Sequence, residues 1–353
     1  MKVLVIQQKM IGDVLTSTII CESLRKKYPG VTIDYLVNSN TKPVILENPF
    51  FDRIIEFKTE YRNDKRAFYT FLKNIRNSRY DRVIDVYGKL ESNLITLFSG
   101  ASQKISFYKW YTHFLYTKTI KRNSKPLTNA SVAIENRLRL VFPEDRIIDE
   151  IKRPKIFLTK EEKEKAREFL ESNGISKEKP ILMISALGSD LRKTFPLKKM
   201  AEVIDAIART TDACILFNYI PSQEKEARTI YNLTSLKTKR RIHFDVFAKS
   251  LRGFLAVLSH CNALIGNEGG AVNMSKALDI PTFTIFSPWI NKKDWSIFED
   301  GETHMSVHLS DYLPELFLNK KTKELKKNSL ELYAHFKPDF FIDQLSIFLN
   351  NNV

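Results

Sequence analysis

Residues 2–30, KVLVIQQKMIGDVLTSTIICESLRKKYPG, decide the fold. Lys2–Ile6 carries a short continuous apolar run, as a parallel strand does when both of its faces are covered. Gly12-Asp13 then marks a tight turn. Val14–Lys27 reads as a helix with Leu15, Ile19 and Leu24 on one side, stopped by Pro29-Gly30. Strand followed by helix is the unit of a doubly wound α/β sheet, and the rest of the chain repeats it. Thr32–Val37, Arg53–Phe57 and Arg82–Val86 read as further strands, and Asp64–Asn77 as a basic helix bearing aromatics. After a polar segment at 159–179 a second series begins. Its strands are Pro180–Ala186, Ala213–Asn218, Ala263–Gly266 and Thr282–Phe286. Its helices open at Pro196 and span Ser222–Asn232, Leu251–Cys261 and Ala271–Leu278.

Two such series predict two doubly wound domains, residues 1–158 and 159–328, with ligand at the carboxyl ends of the strands. A length of 353 residues agrees, since a domain usually holds roughly 100–200. Residues 329–353 read as a helical segment interrupted at Pro338 and expected to pack back on the first domain. No run approaches the ~18–20 apolar residues of a membrane span. The N-terminal apolar run is too short for a signal-peptide core. Cys21, Cys214 and Cys261 are odd in number and widely spaced, against a disulfide framework or a cysteine-based zinc site. The chain reads as cytoplasmic.

The net charge of +15 is uneven, for residues 58–125 hold 15 Lys/Arg against 5 Asp/Glu. Such a patch attracts phosphates, on nucleic acid, on a lipid surface or on a phosphorylated glycolipid. Within it, 104–125 interleaves Phe107, Tyr108, Trp110, Tyr111, Phe114 and Tyr116 with cations and has no clean period. Lys104, Lys109, Lys118, Lys121 and Arg122, with Lys125, are candidates to hold an anionic acceptor. The same rings could fill the first domain's core, or rest at a headgroup boundary.

Three stretches could carry chemistry. Gly12 would permit the turn that sets Asp13 in a helix's first turn, facing the interdomain cleft, where a carboxylate accepts a proton from a hydroxyl; Asp is equally a common helix cap. SALGSDLRKTFP, 185–196, describes a strand end, a small-residue loop and then Arg192 and Lys193 before a helix. Ser185, Ser189 and the loop amides would bond diphosphate oxygens, and Lys193 would neutralise leaving-group charge. NEGGAVNMSKAL, 267–278, again runs strand, glycine turn, helix. Gly269 and Gly270 let a ligand approach the helix N-terminus, Asn273 adds a donor, and Glu268 suits a sugar hydroxyl. A Walker A loop, GxGxxG, GxSxG and DxD are all absent, so no metal is expected. His304 and His308, four apart, could share a helix face as metal ligands, but nothing nearby supports it.

These features, in this order, resemble glycosyltransferase family 9, the bacterial lipopolysaccharide heptosyltransferases. KVLVIQQKMIGDVL, RKTFP and NEGGAVNMSKALDIPTFTIFSP carry the likeness. The resemblance implies a GT-B fold, an acceptor domain followed by a nucleotide-sugar domain, and inverting transfer with no cofactor. Asp13 matches its base, Lys193 its diphosphate lysine, Glu224 its ribose-binding acid and Gly270 its diphosphate turn. Glu268-Gly269-Gly270 stands where Asp-Thr-Gly is usual, Asn273 where histidine is, and Phe195 where tryptophan is. The implied partners are ADP-heptose or another nucleotide-sugar, and an anionic glycolipid acceptor met peripherally at the inner membrane surface, with no nucleic acid. A GT-B epimerase and a nucleic-acid-binding protein using the basic stretch are the alternatives.

Overall fold

The computed structural model describes residues 1–176 and 178–353 in two compact units. The first comprises 1–157 with 293–297, and the second 158–292 with 298–353. Among the described residues no helix is long and apolar enough to cross a membrane.

The first unit is a six-stranded parallel sheet: β1 (Lys2–Gln7), β2 (Thr32–Asn38), β3 (Arg53–Phe57), β4 (Arg82–Asp85), β5 (Gln103–Phe107) and β6 (Lys118–Ile120). The order is β3-β2-β1-β4-β5-β6. β1 therefore lies at the switch point, paired Ile6 to Leu36 on one side and Ile6 to Asp85 on the other. Strand order reverses there, and open α/β sheets take their ligands at the carboxyl ends of the strands beside such a reversal. Val3–Ile6 are fully buried, which is why this strand reads as an unbroken apolar run. Beneath it Leu4, Ile6, Leu36 and Val83 pack with Phe57, Phe71 and Ile75. The last two come from helix Lys65–Asn77, whose first N–H groups are capped by Asp64.

β5 and β6 fall inside the stretch without a clean period. They lie toward the sheet's edge and carry polar residues on open faces, so neither shows a buried strand's apolar run.

The second unit is a five-stranded parallel sheet: β7 (Ile181–Ser185), β8 (Cys214–Asn218), β9 (Ala263–Asn267), β10 (Thr282–Ile285) and β11 (His304–Val307), in the order β11-β10-β9-β7-β8. Its switch point is between β7 and β9, where Ser185 pairs with Gly266. A Cβ on Gly266 would overlap the Ser185 carbonyl, so the two strand ends meet this closely only because the residue is glycine. The polar segment at 159–179 contains helix Lys160–Ser172, opened by a Thr159–Glu162 capping box.

Two expectations are corrected. The C-terminal segment is part of the second unit rather than a separate segment: Leu332, Tyr333, Phe336, Phe341, Leu345 and Phe348 belong to that unit's core. Phe195 is the pivot, with edge contacts to Tyr333, Phe336 and Phe341 at 5.5–6.1 Å between ring centroids. Burying an aromatic of this size is worth about 1.5–3 kcal/mol, enough to hold the segment there. His304 and His308 share no helix face, since His304 opens β11 and His308 follows its end. Their ring nitrogens meet Thr282 at 3.1 Å and Ser310 at 2.6 Å.

Cys21 and Cys261 are buried, one in each unit, and Cys214 is partly covered. Burial pushes the Cys21 thiol far above its ordinary value and Cys261 up to about 12.

Candidate active site

In the first unit the switch-point loop delivers Asp13. Helix Ile11–Lys27 starts three residues earlier than its pattern suggests, so Gly12 is its second residue rather than a turn. Met10 is the N-cap and makes no side-chain cap bond, which leaves Asp13 free of a capping role. The carboxylate is nearly buried. Arg137 Nη2 and Lys9 Nζ both donate to its Oδ1, each at 3.2 Å, and among the described residues none donates to Oδ2. Arg137 also donates through Nε to Ser17 Oγ at 2.9 Å and through Nη1 to the Ala133 carbonyl at 2.6 Å. Ser17 Oγ in turn donates to the Asp13 carbonyl at 2.7 Å. Burial lowers the Arg137 pKa while the Asp13 carboxylate opposes that shift. One carboxylate oxygen is thus anchored on a buried cation, and the other is open to a proton donor.

Sequence reasoning missed Arg137 and Ser17. Arg137 is one of several charges in IENRLRL, and only burial of helix Val132–Leu138 against the first helix distinguishes it. Gln8, between β1 and Asp13, is 2% exposed, and neither of its side-chain amide atoms has a partner among the described residues. A buried amide left unpaired costs about 1–3 kcal/mol, a cost that a ligand hydroxyl could remove.

Of the acceptor candidates, Lys118 and Lys121 are exposed and Lys104 is half-buried. Lys109 is turned inward and donates to the Gly88 carbonyl. Its pKa is lowered by burial and by the Lys89 cation. Arg122 lies 3.8 Å above the Phe107 ring. Desolvation and Arg137 lower the Arg122 pKa and Asp13 raises it, which puts its charge within electrostatic range of the carboxylate.

In the second unit the two sequence stretches converge at the β7/β9 switch. Asn267, the last residue of β9, donates to the Ser185 and Ala186 carbonyls at 3.0 and 2.8 Å and accepts from the Phe195 N–H at 2.6 Å. It staples the two loops, a role its position in the motif does not announce. Lys193 Nζ stands 3.0 Å from Glu268 Oε1, an ion pair too poorly aligned to count as a hydrogen bond. A Cβ on Gly188 would overlap the Lys193 carbonyl, so the loop closes only with glycine there. Ser189 and Arg192 are exposed, and the Arg192 carbonyl accepts from Ser287 at 2.6 Å and Trp289 at 3.1 Å. Gly269 is the N-cap of helix Gly270–Ala277, and the Asn273 N–H reaches its carbonyl at 3.4 Å. Glu224 is exposed, opens helix Glu224–Leu233 and pairs with Arg228 at 3.4 Å. Gln223 beside it donates to the Gly188 carbonyl at 2.7 Å, tying that helix start to the Lys193 loop. Pro221, Ser222, Glu224, Arg228 and Asn232 line an open pocket of about 580 Å³.

The chain matches the family model for glycosyltransferase family 9 (heptosyltransferase) over residues 68–316. Lipopolysaccharide heptosyltransferase 1 of Campylobacter coli is 21% identical over 300 residues, 81% of this chain and 84% of that one. A glycosyl transferase family 9 structure from Veillonella parvula superposes with a TM-score of 0.80 at 16% identity, covering 99% of this chain and 97% of its own. An Escherichia coli heptosyltransferase solved with ADP gives 0.62 at 16%, covering 98% and 100%. These likenesses and the two parallel sheets define a GT-B fold of two Rossmann-like domains. With the family model spanning most of its length, the chain belongs to glycosyltransferase family 9 and is a glycosyltransferase.

Proposed function

We propose that the protein transfers a heptose from ADP-heptose, with inversion, to the core of a lipopolysaccharide-type glycolipid. The observation that carries this reading is the asymmetric carboxylate of Asp13, held at Oδ1 by Arg137 and unbonded at Oδ2. Oδ2 takes the proton of the acceptor hydroxyl as that oxygen bonds to the anomeric carbon from the face opposite the diphosphate. The anomeric C–O bond breaks, and its electron pair leaves on the diphosphate. Lys193, the 185–193 loop amides and the N–H groups after Gly270 stabilise that developing charge, the type of contribution that is usually largest in such transfers. Glu224 holds the ribose, while Glu268 both steadies Lys193 and meets a sugar hydroxyl. Arg122 receives an anionic group of the acceptor close to Asp13.

The relatives named as heptosyltransferases support the donor sugar, and the structure solved with ADP supports the nucleotide. A donor screen tests the reading: ADP-, UDP- and GDP-sugars are compared by nucleotide release, and the anomeric configuration of the product is read by NMR. ADP-heptose should turn over fastest, with inverted product. Preference for a UDP- or GDP-sugar would overturn the donor, and a free sugar epimer formed without acceptor would overturn the reaction.

A further inference from the structure

The rings of the 104–125 stretch are not core. Trp110 is 78% exposed and Phe114 73%, with Tyr111 and Tyr108 also open to solvent. Only Phe107 and Tyr116 of the six turn inward. The exposed rings hold one another in place: Trp110 meets Tyr111 edge-on at 5.5 Å, and Tyr108 stacks on His113 at 5.6 Å. Helix Leu90–Phe98 packs against the His113–Leu115 turn and extends the surface. Its Leu90 and Leu97, seven residues apart and so on one helix face, are 72% and 45% exposed. The Lys109 bond to the Gly88 carbonyl fastens the aromatic loop to this helix's start. Large exposed apolar side chains gathered on two packed elements that are braced by internal bonds call for something that covers them.

The surrounding charge selects the occupant. Residues 104–125 contain no Asp or Glu. Lys89, Lys118 and Lys121 are exposed, and Lys121 lies 5.8 Å from the Tyr108 ring. Indole and phenol rings beside exposed lysines suit the headgroup layer of an anionic bilayer, where rings settle at the boundary and cations meet phosphates. The position is also productive. The loop holding Trp110 leaves the carboxyl end of β5, as Asp13 and Arg122 follow the carboxyl ends of β1 and β6 in the same parallel sheet.

We infer that Trp110, Tyr111 and Phe114, with Leu90 and Leu97, form a docking face for an anionic lipid surface, which brings a lipid-anchored acceptor to the end of the sheet that carries Asp13. Docking itself stands on the surface alone; its service to catalysis rests on the function proposed above.

The full chain is sedimented with phosphatidylcholine vesicles and with vesicles that also contain phosphatidylglycerol. Binding to the anionic vesicles should exceed binding to the neutral ones and weaken with salt. W110S/Y111S/F114S should lower the partition coefficient at least about tenfold. K118Q/K121Q should lower it about thirtyfold at low salt. The aromatic variant should keep wild-type nucleotide release with a water-soluble acceptor sugar in the absence of vesicles. Wild-type protein that ignores anionic vesicles, or an aromatic variant that binds them undiminished, overturns the docking face. Loss of a dimer by sedimentation in that variant, with vesicle binding retained, also overturns it by making the face a protein interface. If vesicle binding behaves as expected but no nucleotide-sugar turns over, the enzymatic reading fails and the docking face stands.

Discussion

Arg137 grips Asp13 at a single carboxylate oxygen from 124 residues further along the chain. A carboxylate held this way has its orientation fixed through one oxygen while the lone pairs of the other are not used by that contact. The bond to Ser17 Oγ and the bond to the Ala133 carbonyl fix the guanidinium in turn.

Replacing Asp13 with Asn keeps the shape and removes the proposed base. Transfer should fall about 10²–10⁴-fold while donor affinity by calorimetry stays within a few fold. Near-normal turnover would remove Asp13 from the mechanism.

Arg137→Met should lower stability by about 3 kcal/mol in urea denaturation, because a buried pair loses one partner and Ser17 loses a donor. In the Asp13→Asn background the same change should cost less, by about 0.5–3 kcal/mol. Equal costs in the two backgrounds would show that the pair is not coupled.

Gln8→Met removes an amide that has no protein partner. Stability should rise by about 1 kcal/mol, because the unpaired group no longer has to be buried dry. If that amide serves a substrate hydroxyl, KM for the acceptor rises in the same variant, a split that pure packing does not produce.

Lys193→Ala and Glu224→Ala should both weaken nucleotide-sugar binding, yet only Glu224→Ala should weaken binding of adenosine. Lys193 is the residue proposed to meet the diphosphate, and its ion pair with Glu268 ties it to the β9 end. Calorimetry with adenosine, ADP and the nucleotide-sugar separates the two roles.

Phe195→Ala should cost about 3–5 kcal/mol. The ring is fully buried against three aromatics of the C-terminal segment, so the thermal transition of the second domain should carry the loss.

Legibility followed burial. β1, β7 and β9 are covered on both faces, and their apolar runs gave them away. β6 and β11 are short edge strands of three and four residues, too short for a local pattern to separate them from loop. Among the candidate site residues of the two units, Asp13, Lys193 and Glu268 stood out because charged residues beside a strand-end turn are conspicuous. Arg137 and Asn267 did not, since their roles depend on partners 124 and 72 residues away. The exposed aromatic surface was half legible: composition flagged it, but only the backbone path decides which rings turn inward.

The two buried thiols make each domain its own clock. A cysteine reacts through its thiolate, and at neutral pH neither Cys21 nor Cys261 offers one while its surroundings stay closed. Alkylation at Cys21 therefore times the opening of the first domain, and alkylation at Cys261 that of the second. Cys214, only partly covered, serves as the early-reacting internal standard. Peptide mass spectrometry of a timed alkylation would thus rank the domains by opening free energy with no engineered label, and would show which of them ADP or a nucleotide-sugar holds shut.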